Sequence, residues 1–158
     1  MRTGRTGVAI IGAVPAVGAP IVVVSGLPRS GTSMVMGMLE AGGLEIVSDG
    51  VRVADQSNPR GYYEDERVKT LDKDTDKSWL ADARGKAIKI ISFLLKDLPD
   101  SNRYRVIFIL RDMDEVLTSQ RKMLQALGQE SASAADGRIA VGYRTHLNAV
   151  NDLLSSRS

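Results

Sequence analysis

Residues 21–40, IVVVSGLPRSGTSMVMGMLE, constrain the fold of this chain more than any other stretch. Ile21, Val22, Val23 and Val24 are β-branched and read as a short buried strand. Gly26-Leu27-Pro28-Arg29-Ser30-Gly31-Thr32-Ser33 follows with no polar spacer, a turn bounded by glycines. The apolar run over residues 34–39 continues as a helix whose first turn is that loop. In this strand, loop and helix order Gly26 and Gly31 let the backbone curl, and the N–H groups of the helix start converge on an anion. The unit reads as a phosphate-binding loop.

The loop departs from the nucleotide triphosphatase pattern G-x-x-x-x-G-K-[ST], where a lysine directly after the second glycine reaches the β- and γ-phosphates. Thr32 stands at that position, and the positive charge sits three residues earlier, at Arg29.

Beyond the loop the chain alternates strands and helices. Ala41-Gly42-Gly43 stops the first helix, and Leu44-Glu45-Ile46-Val47 reads as a second short strand. Residues 48–63 are polar and contain Asn58-Pro59-Arg60-Gly61, a turn signal, so they read as a long surface loop over the site. Residues 64–77 are charged throughout and read as a solvated helix. KAIKII over 86–91 alternates like a strand, residues 92–98 make a short helix or turn, and YRVIFIL over 104–110 reads as a central strand buried on both faces. Asp112 caps the next helix and Glu115 completes a capping box, with Gly128 ending it. Ile139, Tyr143, Leu147, Val150 and Leu154 mark a last amphipathic helix. Such alternation implies a mostly parallel sheet covered on both sides.

Composition narrows the chemistry. At 158 residues the chain fits one domain, read as residues 21–158 after a loosely ordered leader over 1–20. That leader, two arginines and a small-residue apolar patch, has the outline of a secretion signal but is broken by Gly12 and Pro15. The chain stops on its last helix, so the domain is expected to be either minimal or truncated at its C-terminal end. A net charge of +2 leaves no nucleic-acid footprint. The absence of cysteine excludes disulfides and thiol catalysis and fits a reducing, cytoplasmic setting. A single histidine, His146, excludes a His-rich metal cluster. No apolar run approaches the roughly 18 to 20 residues of a membrane span.

Arg111 lies at the carboxyl end of the 104–110 strand, where open α/β sheets hold ligands. Ser119 follows eight residues on, two turns into the helix, on nearly the same face as its cap. An arginine fork and a hydroxyl can then converge on one phosphate.

GLPRSGTS over residues 26–33, with Arg111 and Ser119 inside RDMDEVLTSQRKML, resembles the two cofactor motifs of the sulfotransferases that use 3′-phosphoadenosine 5′-phosphosulfate (PAPS). Asn58-Pro59-Arg60-Gly61-Tyr62-Tyr63-Glu64 is similar to a segment that bacterial members carry between the two. The resemblance spans about residues 21–154. It implies a three-layer α/β sandwich, a mostly parallel sheet with a P-loop and helices on both faces. It implies PAPS as co-substrate, with Gly26, Pro28, Arg29, Ser30, Gly31, Thr32 and Ser33 around the 5′-phosphosulfate and Arg111 and Ser119 on the 3′-phosphate. No metal is implied. The implied reaction moves a sulfuryl group to a hydroxyl or amine of a small-molecule or carbohydrate acceptor. Arg29 would stabilise the transferred group and Glu64 would act as general base, with Asp65 and Glu66 as neighbouring alternatives. The chain departs from the family in three places. Met34 stands where cytosolic members stack a tryptophan on adenine, their later glycine-rich segment would lie beyond Ser158, and their histidine base has no counterpart at the expected place.

The remaining polar and aromatic residues carry blander readings. Glu64 also suits the first turn of a helix, where the dipole favours it. His146 reads as a packing or surface residue, Trp79 as core, and Lys86 and Lys89 as flanks of a strand. Tyr62 and Tyr63 suit an acceptor pocket, an adenine stack or simple loop packing. Arg121 and Lys122 read as solvated, with Arg121 near enough to Ser119 to assist a phosphate. Two other functions compete: an ATP-dependent kinase or nucleotide hydrolase, and a module that holds PAPS or its product PAP without turnover.

Overall fold

The computed structural model describes residues 7–11, 18–51, 61–128 and 133–157. They form one five-stranded sheet of order β1-β5-β2-β4-β3, built from β1 Gly7–Ile11, β2 Ile21–Gly26, β3 Ile46–Val47, β4 Ala87–Lys89 and β5 Tyr104–Ile109. The four strands from β2 onward run parallel, and β1 adds an antiparallel edge against β5, Gly7 opposite Phe108. Part of the stretch read as a leader is thus a strand of the sheet.

Alternation along the strands sorts side chains onto two faces. Ile21, Val23, Ile88, Ile90, Tyr104, Val106 and Phe108 form the larger core. It is covered by the long helix α3 Ser133–Ser156, which inserts Val150, and by 3₁₀ turns carrying Val68, Leu80 and Leu95. On the other face Val24 and Ala87, with Val22, Ile107 and Ile109 beside them, take Met36, Val35 and Leu39 of helix α1 Thr32–Ala41. Each large side chain removed from water in this way contributes about 1.5–3 kcal/mol. Helices therefore cover both faces, and the architecture is the three-layer α/β sandwich.

Three further elements differ from the sequence reading. β5 lies second from an edge rather than at the centre, which β2 occupies. It is fully buried on one face only: Arg105, on the other, is exposed because α1 covers Ile107 and Ile109 but not the strand's start. The charged stretch over 64–77 is not a regular helix but a single 3₁₀ helix, Glu66–Thr70, which Asp65 caps by accepting the Arg67 N–H. Helix α2 Met113–Ala126 starts at Asp112 as expected, but Glu115 does not close a capping box, because its carboxylate pairs with Arg111 instead. Among the described residues no helix is long and apolar enough to cross a membrane.

Candidate functional site

The carboxyl ends of β2, β4 and β5 open into a cleft of about 380 Å³. The glycine loop forms one wall, Arg111, Ser119 and Met123 another, and Tyr62, Glu64, Lys89 and Ile91 the third. This is where parallel strands leave unpaired backbone and where successive loops diverge.

The loop is shaped by close packing. A Cβ on Gly26 would fall 2.4 Å from Ser30 Oγ and 2.9 Å from the Ile109 carbonyl oxygen, so only glycine lets the loop fold back on the strand end. Arg29 (φ 66°) and Gly31 (φ 102°) both adopt left-handed conformations, which turn the chain sharply and cost the arginine of order 1 kcal/mol or more. Gly31 caps α1 without a side chain, and its carbonyl takes the N–H groups of Met34 and Val35. The N–H groups of Thr32 and Ser33, first in the helix, are thus left at the dipole's positive end without a side-chain cap. Ser30 Oγ is buried and has no hydrogen-bond partner among the described residues.

The strained Arg29 reaches across to α2, where its Nε donates to Ser119 Oγ at 3.0 Å. Arg111 Nη1 donates to the Arg29 carbonyl at 3.0 Å, and its Nε pairs with Glu115 Oε2 at 2.9 Å. Arg29, Arg111 and Ser119, separated by up to 90 positions, thus meet at one end of the cleft. Two guanidinium groups and a hydroxyl at one end of the cleft are fixed donors of the kind that suits an anion.

The other end centres on Lys89, the last residue of β4, whose ammonium donates to the Tyr62 carbonyl at 2.5 Å and Ser33 Oγ at 3.3 Å and pairs with Glu64 at 3.1 Å. Both side chains of this pair are mostly shielded, 14% and 20% exposed. Water screens it less than a surface pair. Tyr63 (φ 51°) kinks the chain here and splits two neighbouring aromatics. Tyr62 lines the cleft under Lys89, 5.8 Å from ring centre to ammonium. Tyr63 instead crosses Gly37 of α1 and donates to Glu40 at 2.8 Å. The Glu64 carbonyl is held by Ser48 Oγ and by the Asp49 N–H, both at 3.1 Å.

No protein-family model, curated protein or solved structure matches this chain.

The residues singled out in the sequence therefore fall into two groups. Gly26, Pro28, Arg29, Gly31, Thr32, Ser33, Glu64, Arg111 and Ser119 all line the cleft, and Ser30 supports it from beneath. Asn58, Pro59 and Arg60 lie outside the described residues. Asp65 is turned away from the cleft, bound by both ends of Arg67, and Arg121 bonds Thr118 rather than Ser119. His146 is a packing residue, its Nε2 2.9 Å from Ser92 Oγ. Lys89 is the residue that sequence reasoning passed over as a strand flank. The signal lies in the strand order rather than in the string: Lys89 ends a strand beside the loop strand, in register with Val24, and so shares the cleft edge of the sheet.

Proposed function

We propose that the chain is a sulfotransferase that takes PAPS and passes its sulfuryl group to an acceptor hydroxyl or amine. The observation that supports this reading is the meeting of two sets of donors on one cleft: Arg111 with Ser119, and the glycine loop, carrying Arg29, with Lys89. A nucleoside bisphosphate carries two anionic groups apart from one another, and a cleft with two such sets suits it better than a single phosphate. The Ser30 hydroxyl, which has no partner among the described residues, and the uncapped start of α1 add donors under the loop.

Arg111 and Ser119 would hold the 3′-phosphate, and Gly26, Pro28, Arg29, Ser30, Gly31, Thr32 and Ser33 the 5′ end. When bound, PAPS supplies a sulfuryl group whose bond to the 5′-phosphate breaks as the acceptor oxygen takes the sulfur, leaving the electron pair on PAP. Lys89 and the Thr32 and Ser33 N–H groups are fixed donors for the charge that develops there, worth more in a shielded cleft than in water. Glu64, held in place by Lys89 and by the Ser48 and Asp49 bonds to its backbone, is the carboxylate available to take the acceptor proton. The reading does not require a metal, and a cysteine-free chain suits the cytoplasm.

Lys89 also gives an ATP reading some support, since it brings to the glycine loop the ammonium that Thr32 does not. Calorimetric titration with PAP, beside ATP and magnesium, decides between them. PAP should bind with micromolar affinity, and Arg111→Ala should weaken it at least tenfold, about 1.4 kcal/mol. Preference for ATP with magnesium would move the protein to the kinases or hydrolases. PAP binding without any transfer would leave a binding module.

A further inference from the structure

Outside the glycine loop, Tyr63 is the only residue other than glycine, among the described ones, with a left-handed backbone, φ 51°. For a bulky side chain this conformation is an outlier, and it persists only where the surroundings over-determine it. Here α1 supplies the constraint. A Cβ added at Gly37 would lie 3.3 Å from Tyr63 Oη and 3.8 and 3.9 Å from two of its ring carbons, so the ring rests on a stretch of helix that a bare glycine keeps low. Glu40, three residues on and so on the same face, accepts a hydrogen bond from the Tyr63 hydroxyl at 2.8 Å. A second tie lies near the start of the helix, where Ser33 Oγ donates to the Tyr62 carbonyl at 3.4 Å.

The bend has its effect on the cleft side. In an extended chain the carbonyls lie across the strand while the side chains stand above and below it, so a carbonyl and the side chain two residues later point different ways. Around Tyr63 they converge. The Tyr62 carbonyl and the Glu64 carboxylate both reach the Lys89 ammonium, at 2.5 and 3.1 Å. Tyr63 itself does not line the cleft.

Resting on the sulfuryl-transfer reading, we propose that Tyr63 is a positioning residue for that reaction. Its ring on Gly37 and its bond to Glu40 fasten residues 62–64 to α1, the helix whose first turn belongs to the anion site. Glu64 is thereby held beside Lys89 in a fixed place relative to the group to be transferred, and Tyr63 acts through it.

The test uses the full chain and three readouts: PAP affinity by calorimetry, consumption of PAPS with water as acceptor, and hydrogen exchange at single amides. In the water reaction the water oxygen bonds the sulfur, and the bond from sulfur to the 5′-phosphate oxygen breaks with its electron pair left on PAP. Glu64 takes the proton, and the products are PAP and sulfate. Tyr63→Phe keeps the ring on Gly37 and removes the hydroxyl. This variant and Glu40→Ala should each slow PAPS consumption about threefold and leave PAP affinity within about twofold. Both should also speed exchange of the Asp49 and Glu66 N–H groups, which donate to the Glu64 carbonyl and to Asp49. Glu40→Gln, whose amide oxygen accepts the same bond, should match the wild-type protein in all three.

A wild-type rate and wild-type exchange in Tyr63→Phe overturn the proposal. So does a loss of PAP affinity as large as the loss of rate, which would make Tyr63 a general support of the site, and so does Glu40→Gln failing as Glu40→Ala does. Should the wild-type protein bind no PAP, the transfer reading falls; should it bind PAP without consuming PAPS, the role in transfer falls. In both cases exchange still decides the tie to α1: it stands if Tyr63→Phe and Glu40→Ala speed exchange and Glu40→Gln does not, and it falls if exchange is unchanged.

Discussion

The two ends of the cleft are built by different means. At the loop end the geometry is local: the backbone over residues 26–33 curls because Gly26 packs on Ser30 and Gly31 takes a left-handed turn, and the helix start does the rest. At the Glu64 end nothing is local. Lys89 meets Tyr62 and Glu64 from 27 and 25 positions away and Ser33 from 56, and Glu64 is pinned by Ser48 and Asp49. A loop end of this kind should tolerate changes elsewhere in the fold, whereas the Glu64 end depends on several segments arriving together.

Replacing Lys89 by Met sharpens that contrast most. It removes the ammonium but keeps much of the stem, and the rate of transfer from PAPS should fall about 10²–10³-fold. PAP affinity should change less than it does in Arg111→Ala. Equal losses of binding in the two variants would break the division of labour between the ends.

Gly26→Ala probes the loop end. The added methyl meets the Ser30 hydroxyl and the Ile109 carbonyl, and overpacking of this kind should cost about 1–3 kcal/mol in a urea unfolding titration. Adding Ser30→Ala should recover only part of the loss, because the backbone carbonyl remains. Full recovery would mean that the hydroxyl alone makes the loop tight.

The smallest effect belongs to Asp65, which anchors the chain just after Glu64. Its hydrogen bonds from the Arg67 guanidinium, opposed in part by burial, hold its carboxyl below the ordinary value. A folded-state pKa below the unfolded one gives stability that is complete above the ordinary carboxyl value near 3.9 and is lost as pH falls through the lower folded value. Asp65→Asn should therefore cost about 1 kcal/mol at neutral pH, since Arg67 is half exposed. Urea midpoints of the two proteins should converge as pH is lowered below about 4. No difference at neutral pH would show that the cap on the Arg67 N–H, which Asn also supplies, and not the ion pair, is what Asp65 contributes.

Much of this molecule was legible along the chain because the signals are local. A β-branched run announced β2, a continuous apolar run announced β5, glycines announced the loop, and the eight-residue spacing from Arg111 to Ser119 placed both on one wall. Arg29 joined them through a bend that the string does not display, a left-handed residue between Pro28 and Ser30. Other features needed the folded chain. The 3₁₀ helix in place of a longer one over 64–77 follows from the Asp65 cap and the Arg67 pair, and Glu115 leaves its capping role because Arg111 is the nearer charge.

The sequence by itself determined the α/β alternation, the glycine loop and the pairing of Arg111 with Ser119, since each depends on residues within a few turns of one another. Only the tertiary structure decided that Lys89 belongs with Ser33, Tyr62 and Glu64, and that β2 rather than β5 is central. Which strands lie side by side is set by how the whole apolar surface is buried. No periodicity within a single strand records its neighbour.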